Sequence, residues 1–135
     1  MTVEEAVCDH LLADPGVSAL VGSRVYLMRF PQRPTLPAIR VQLISEPKDY
    51  HLRGPNNTTT SRVQVDSVSE EASGFDPYAE AASVADAADN ALSGVQFITG
   101  GVEVTGSFRD TRMAMYEPDE LRMVRILQDY MVWTR

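Results

Sequence analysis

Cysteine is almost missing. Cys8 is the one thiol in 135 residues, so an intrachain disulfide is excluded. Histidine occurs twice, as His10 and His51. A zinc site draws on several Cys or His ligands at set spacings, and Cys8, His10 and His51 do not supply them. No metal and no cofactor is expected. Long apolar runs are also lacking. No stretch approaches the roughly 20 apolar residues of a membrane span, and the acidic start MTVEEAVCDH does not read as a secretory signal. The chain is expected to be made in the cytosol and to have no membrane partner. Positive charge is in short supply, with 12 Lys and Arg against 19 Asp and Glu, a net charge of −7. Tight DNA binding neutralises phosphates with clustered Lys and Arg, whereas Arg24, Arg29, Arg33, Arg40, Arg53 and Arg62 are scattered. That excludes a sequence reader but not a protein that DNA slides past.

Catalytic signatures are absent as well. There is no Gly-x-Ser-x-Gly, and Gly100-Gly101 lacks the lysine of a phosphate loop. His51 beside Asp49 would need a nucleophile and an oxyanion device, so a solvated loop histidine is the simpler reading. Asp86, Asp89 and Asn90 fall on a predicted helix rather than at calcium-loop spacing, and read as its solvated face. The overlapping Asn-x-Ser/Thr matches at Asn56 and Asn57 read as turn chemistry. The chain is not expected to be an enzyme.

What is present is a well-punctuated single domain over residues 1–135, the usual size for one core. Thr2 and Glu5 form a capping box before a helix ending near Ala13, with Val3, Ala6, Val7, His10 and Leu11 inward. Asp14-Pro15 starts a second, short turn of helix, with Val17, Leu20 and Val21 inward. Arg24–Leu27 reads as a short strand, and the proline-rich segment to Pro37 as an arm. Ile39–Ile44 and Thr60–Val68 alternate as strands and should pair as one long antiparallel hairpin. Its outward face would carry Arg62, Gln64 and Asp66. Asp76-Pro77 begins a third helix that puts Tyr78, Ala81, Ala82, Ala85, Ala88 and Leu92 inward. Val95–Ile98 reads as an edge strand, and Val102, Val104, Gly106 and Phe108 as one face of another. Tyr116–Glu120 breaks the pattern. Met123–Trp133 is apolar on both faces, so it lies centrally in its sheet or has its second face covered by a partner. The class is α+β: a mainly antiparallel sheet, two principal helices packed on one face, and a long protruding hairpin loop.

The order of motifs adds a resemblance. Thr-Val-Glu-Glu-Ala opens the chain, then come Leu-Leu-Ala-Asp-Pro, Leu-Val-Gly and Arg-Val-Tyr, and a proline-rich arm ending in Leu-Pro. Ser45–Pro55 reads Ser-Glu-Pro-x-x-Tyr-His-Leu-x-Gly-Pro. Arg62–Asp66, Tyr78–Ala81, Tyr116–Pro118 and the closing Val132-Trp133 follow. Together they resemble the tail completion, or tail terminator (head–tail joining), proteins of long-tailed bacteriophages, prophages and gene transfer agents. One departure is Ser67-Val68-Ser69, where the family often has a large aromatic.

The resemblance implies a structural virion protein, synthesised in the bacterial cytoplasm. Its copies form a ring, usually hexameric, at the head–tail interface. The ring would cap the tail tube protein and meet the head connector, while DNA passes through the lumen without sequence-specific binding. The implied interface is the hairpin tip, Tyr50, His51, Leu52, Arg53, Gly54, Pro55, Asn56 and Asn57, together with a second loop at Tyr116, Glu117 and Pro118. A tail-assembly chaperone or other interaction module is the alternative, with a small-molecule enzyme or regulator behind it.

Overall fold

A computed structural model describes residues 1–55, 57–71, 76–118 and 122–135. Helix α1 (Val3–Ala13) begins at the capping box: the Thr2 hydroxyl accepts from the Glu5 N–H, and the Glu5 carboxylate accepts from the Thr2 N–H at 2.9 Å. Helix α2 (Pro15–Val21) follows, capped by Asp14 with proline in its first turn. Helix α3 (Pro77–Leu92) repeats that device with Asp76 and Pro77. The strands are β1 (Val25–Leu27), β2 (Ala38–Ser45), β3 (Tyr50–His51), β4 (Gly54–Pro55), β5 (Thr59–Glu70), β6 (Phe97–Thr99), β7 (Val102–Glu117) and β8 (Met123–Thr134).

Among the described residues, six strands form one sheet in the order β1-β2-β5-β8-β7-β6, and β3 with β4 forms a small ribbon inside the β2–β5 connection. The expected α+β class holds, as does antiparallel pairing of β2 with β5. Two details are corrected. The sheet is mixed, because β1 runs parallel to β2, with Val25 beside Ile39 and Leu27 beside Val41. The proline-rich arm carries the chain back, so both strands start at the same end. Three helices rather than two line the covered face, because Val17 and Val21 of α2 join the core.

That core is the inner face of the sheet. Ile39, Val41, Val63, Val65, Tyr130 and Val132 meet Val7, Leu11, Val84 and Leu92 there. α3 buries Ala81, Val84, Ala85, Ala88, Ala91 and Leu92. Tyr78, expected inward, is exposed one turn ahead of that stripe, and Leu20 of α2 is also exposed. Ser67 and Ser69 sit opposite Ile126 and Val124 and are buried. Their small side chains leave room for Ala81 and Ala85 of α3, which pack on Val124 and Ile126. The Ser69 hydroxyl donates to Glu80 at 2.7 Å. A polar layer also lies within the core: the Tyr130 hydroxyl donates to Asp89 at 2.8 Å, and the Gln128 amide donates to the Ala85 carbonyl at 3.0 Å. Asp89 is thus not on a merely solvated face. Burial, then the Asp89 carboxylate, pushes the Tyr130 hydroxyl well above its ordinary pKa.

β7 is the largest departure from expectation. It does not break before Tyr116 but pairs with β8 through Glu117. Tyr116 and Glu117 are therefore strand residues opposite Val124 and Met123, not loop residues. Pro118, which has no N–H to donate to a ladder, follows the end of the strand.

Candidate assembly surface

Among the described residues, the helices pack on the inner face of β7 and β8. β8 sends Val124, Ile126, Gln128, Tyr130 and Val132 to the core, so Leu127, Met131 and Trp133 point outward. On β7, register shifts at Thr105 and at Asp110 each insert one residue. Each bulge reverses which face the following residues take. Val104 is buried in the core, while Phe108 lies opposite Met131, Met113 opposite Leu127, and Met115 opposite Arg125. Strict alternation puts Val104 and Phe108 on one face and Phe108 and Met113 on opposite faces. The bulges overturn both.

The result is an apolar strip of Phe108, Met113, Met115, Leu127, Met131 and Trp133. Phe108, Met113, Met115 and Trp133 are each exposed by 43–54%. Gly106 shapes one end of it. A Cβ there would lie 3.0 Å from the Phe108 ring and 3.2 Å from Trp133, and the two rings approach to 5.4 Å between centroids across that gap. Charge flanks the strip: Asp110 and Asp129 both reach Arg62, at 2.8 and 3.2 Å.

The strip borders an open strand edge. Among the described residues β6 covers β7 only from Val102 to Val104, and Phe108 to Tyr116 are nine consecutive exposed residues. A long edge with free N–H and C=O groups is a template for another strand.

The other end of the outer face is closed by the chain itself. Val68 and Asp66 point outward by register with Arg125 and Leu127, yet both are buried. The proline-rich arm reaches this end of the face, with the Phe30 ring 5.9 Å from the Arg125 guanidinium. Asp66 was expected on a solvated face. It is instead ion-paired to Arg40, with Arg125 at 3.9 Å. Burial raises its pKa above the ordinary value despite both arginines. Arg40 and Arg62 thus find their acids within the chain.

The residues singled out from the sequence fall into two separate places. Tyr50–His51 and Gly54–Pro55 are the paired legs of the ribbon, with Leu52 and Arg53 at its turn. Leu52 is fully exposed and Tyr50 largely so. The Arg53 N–H donates to His51 Nδ1 at 3.1 Å, which stiffens the turn. Asn57 is exposed, and Asn56 lies outside the described residues. Tyr116, Glu117 and Pro118 lie elsewhere: Glu117 pairs with Met123, whose other neighbour is Glu70, at the far end of β5 from the ribbon. Twelve-residue β5 separates them, roughly 40 Å at about 3.3 Å per residue.

Sequence reasoning missed Phe108, Met113 and Met115. The available signal was Met113 and Met115 resuming an alternation one residue out of phase, which marks a bulge.

Open grooves also lie elsewhere among the described residues. One of about 410 Å³ is lined by Phe97, Ile98, Glu103, Thr105 and Arg135. Another, of about 360 Å³, lies between Leu20, Pro37 and the first turns of α3. Neither lining pairs a nucleophile with a histidine. Among the described residues no three His, Cys, Asp or Glu side chains are grouped to hold a metal.

Comparison with known proteins sets this geometry in context. The family model Tail completion protein gp17 matches residues 5–135. A solved chain from the virion of a native gene transfer agent particle superposes with a TM-score of 0.72 at 24% identity. The match covers 98% of this chain and 93% of that one. No curated protein matches the chain.

Proposed function

The chain belongs to the Tail completion protein gp17 family, and from that premise we propose that it is the terminator of a phage-like tail. It is a structural protein of the virion, located at the tail. Copies close into a ring, a hexamer, that caps the tail tube and joins it to the head connector. DNA passes through the lumen without sequence-specific contact. The protein performs no catalysis. Its contacts with neighbours use the ribbon, Tyr50 to Asn57, and the corner at Tyr116, Glu117 and Pro118.

The observation that carries this reading is the bare apolar strip beside the open edge of β7. Edges of that length are usually shortened, charged or covered. This one is charged at Arg109, Asp110 and Arg112, yet it also bears Phe108, Met113, Met115 and Tyr116 with no cover among the described residues. An apolar face rimmed by charge marks an interaction site, and assembly supplies the cover.

Electron microscopy of the purified protein, alone and mixed with tail tubes, tests the proposal. Rings that cap the tubes are expected. A persistent monomer that leaves tubes uncapped overturns the ring and favours an assembly chaperone.

A further inference from the structure

Resting on the ring reading, we infer that the Tyr50–Pro55 ribbon of one copy docks on the outer strip of β7 and β8 of the next copy. A closed cyclic assembly of more than two copies needs two different surfaces on each chain, one offered and one received. The fold provides a matched pair of unlike shape. The ribbon is a stiff two-stranded turn with Leu52 fully exposed at its tip and Tyr50 exposed beside it. The strip is a sheet face with the Phe108–Trp133 aromatic pair at one end and Met113 and Leu127 toward the other.

Charge decides in favour of a second copy as the occupant. The segment Tyr50–Pro55 carries Arg53 and no acid. On the strip, Asp110 and Asp129 share Arg62, leaving one carboxylate in excess. A second guanidinium beside that pair completes the balance, while Leu52 and Tyr50 cover Met113 and Phe108. Two copies of an acidic chain repel on average. Seating a cationic tip on an acidic, apolar face locally reverses that repulsion and fixes the direction of assembly.

The test is directed disulfide trapping. A Cys8→Ser background removes the native thiol. Into it go Leu52→Cys, Met113→Cys, and both together. Cross-linking needs Cα atoms brought within about 7 Å. Mild oxidation, with and without tail tubes, is expected to turn the double variant into a ladder of multimers up to a closed ring. Mixing the two single variants should stop at disulfide-linked pairs of one of each. Absence of inter-chain disulfide in a preparation that still forms rings by microscopy overturns the docking and leaves the ring standing. Leu52→Cys bonding to a cysteine-bearing tube subunit in place of Met113→Cys overturns it in favour of the tube as occupant. Absence of rings and of cross-links, with and without tubes, overturns the ring reading and this inference with it. Circular dichroism confirms that each variant folds.

Discussion

On the inner face of β8, Ile126, Tyr130 and Val132 are sealed under helices, whereas on its outer face Leu127, Met131 and Trp133 keep contact with solvent. The two sets alternate along one strand and are similarly apolar. Their difference lies in what the chain brings to each side. A capping box at Thr2, aspartate caps at Asp14 and Asp76, and prolines set three helices on the inner face. On the outer face, among the described residues, the proline-rich arm reaches the Arg125 end. Apolar area buried within the chain stabilises the fold, and apolar area left bare is available to stabilise association.

Truncating the sealed side gives the largest effect. Ile126→Ala removes a fully buried side chain packed with Ala81 and Ala85 of α3. Lost transfer energy plus the residual cavity should cost about 3 kcal/mol, read as a lower urea midpoint with an unchanged slope. A loss below about 1 kcal/mol would mean that α3 is not seated on β8 as described.

The polar layer within that sealed face comes next. Tyr130→Phe leaves the ring in place but takes a donor from Asp89. The expected loss is about 1.5–3 kcal/mol, the range for a hydrogen bond to a charged acceptor. Asp89 also lies 3.5 Å from Arg109 on β7, so Tyr130→Phe combined with Arg109→Ala should cost more than the sum of the two alone.

Much of the sealed face was legible in the sequence. Thr2, Asp14-Pro15 and Asp76-Pro77 mark helix starts by known stereochemistry, and Val63 and Val65 mark the inner side of β5 by period two. The bare face was only half legible. Leu127, Met131 and Trp133 showed that β8 has a second apolar side, but Phe108 and Met113 could be assigned to a common face only with the bulge at Asp110 known. A bulge is set by pairing with another strand, so it leaves only a phase slip in the sequence. Asp66 was misplaced for a related reason. Its alternation with Val65 is correct, but the arginines that close on it, Arg40 and Arg125, come from the flanking strands β2 and β8, and the pattern of one strand carries no record of that.

Asp66 also marks the boundary between the two regions. Burial holds its pKa above the ordinary aspartate value. An acid raised by folding favours the native state below its unfolded pKa, near 3.9. That contribution is lost as pH rises through the higher folded value. Asp66→Asn removes the titration, so stability should fall less, or rise more, with rising pH across this window than in the wild type. Urea midpoints at a series of pH values measure this. Identical slopes would show that Arg40 and Arg125 fully offset the burial.

The smallest effect on stability is expected on the bare side, at Met113→Ser. Met113 is 54% exposed, so the isolated chain loses little packing. Its urea midpoint should stay within about 0.5 kcal/mol of wild type. Association should behave differently. Covering a methionine at an interface contributes on the order of 1–2 kcal/mol, so each contact should weaken about tenfold. A closed ring repeats that loss at every interface, and sedimentation should show rings giving way to smaller species at unchanged fold. A variant that loses stability without losing assembly would place Met113 with the sealed residues. The division of β8 into a folding face and an assembling face would then fail at its centre.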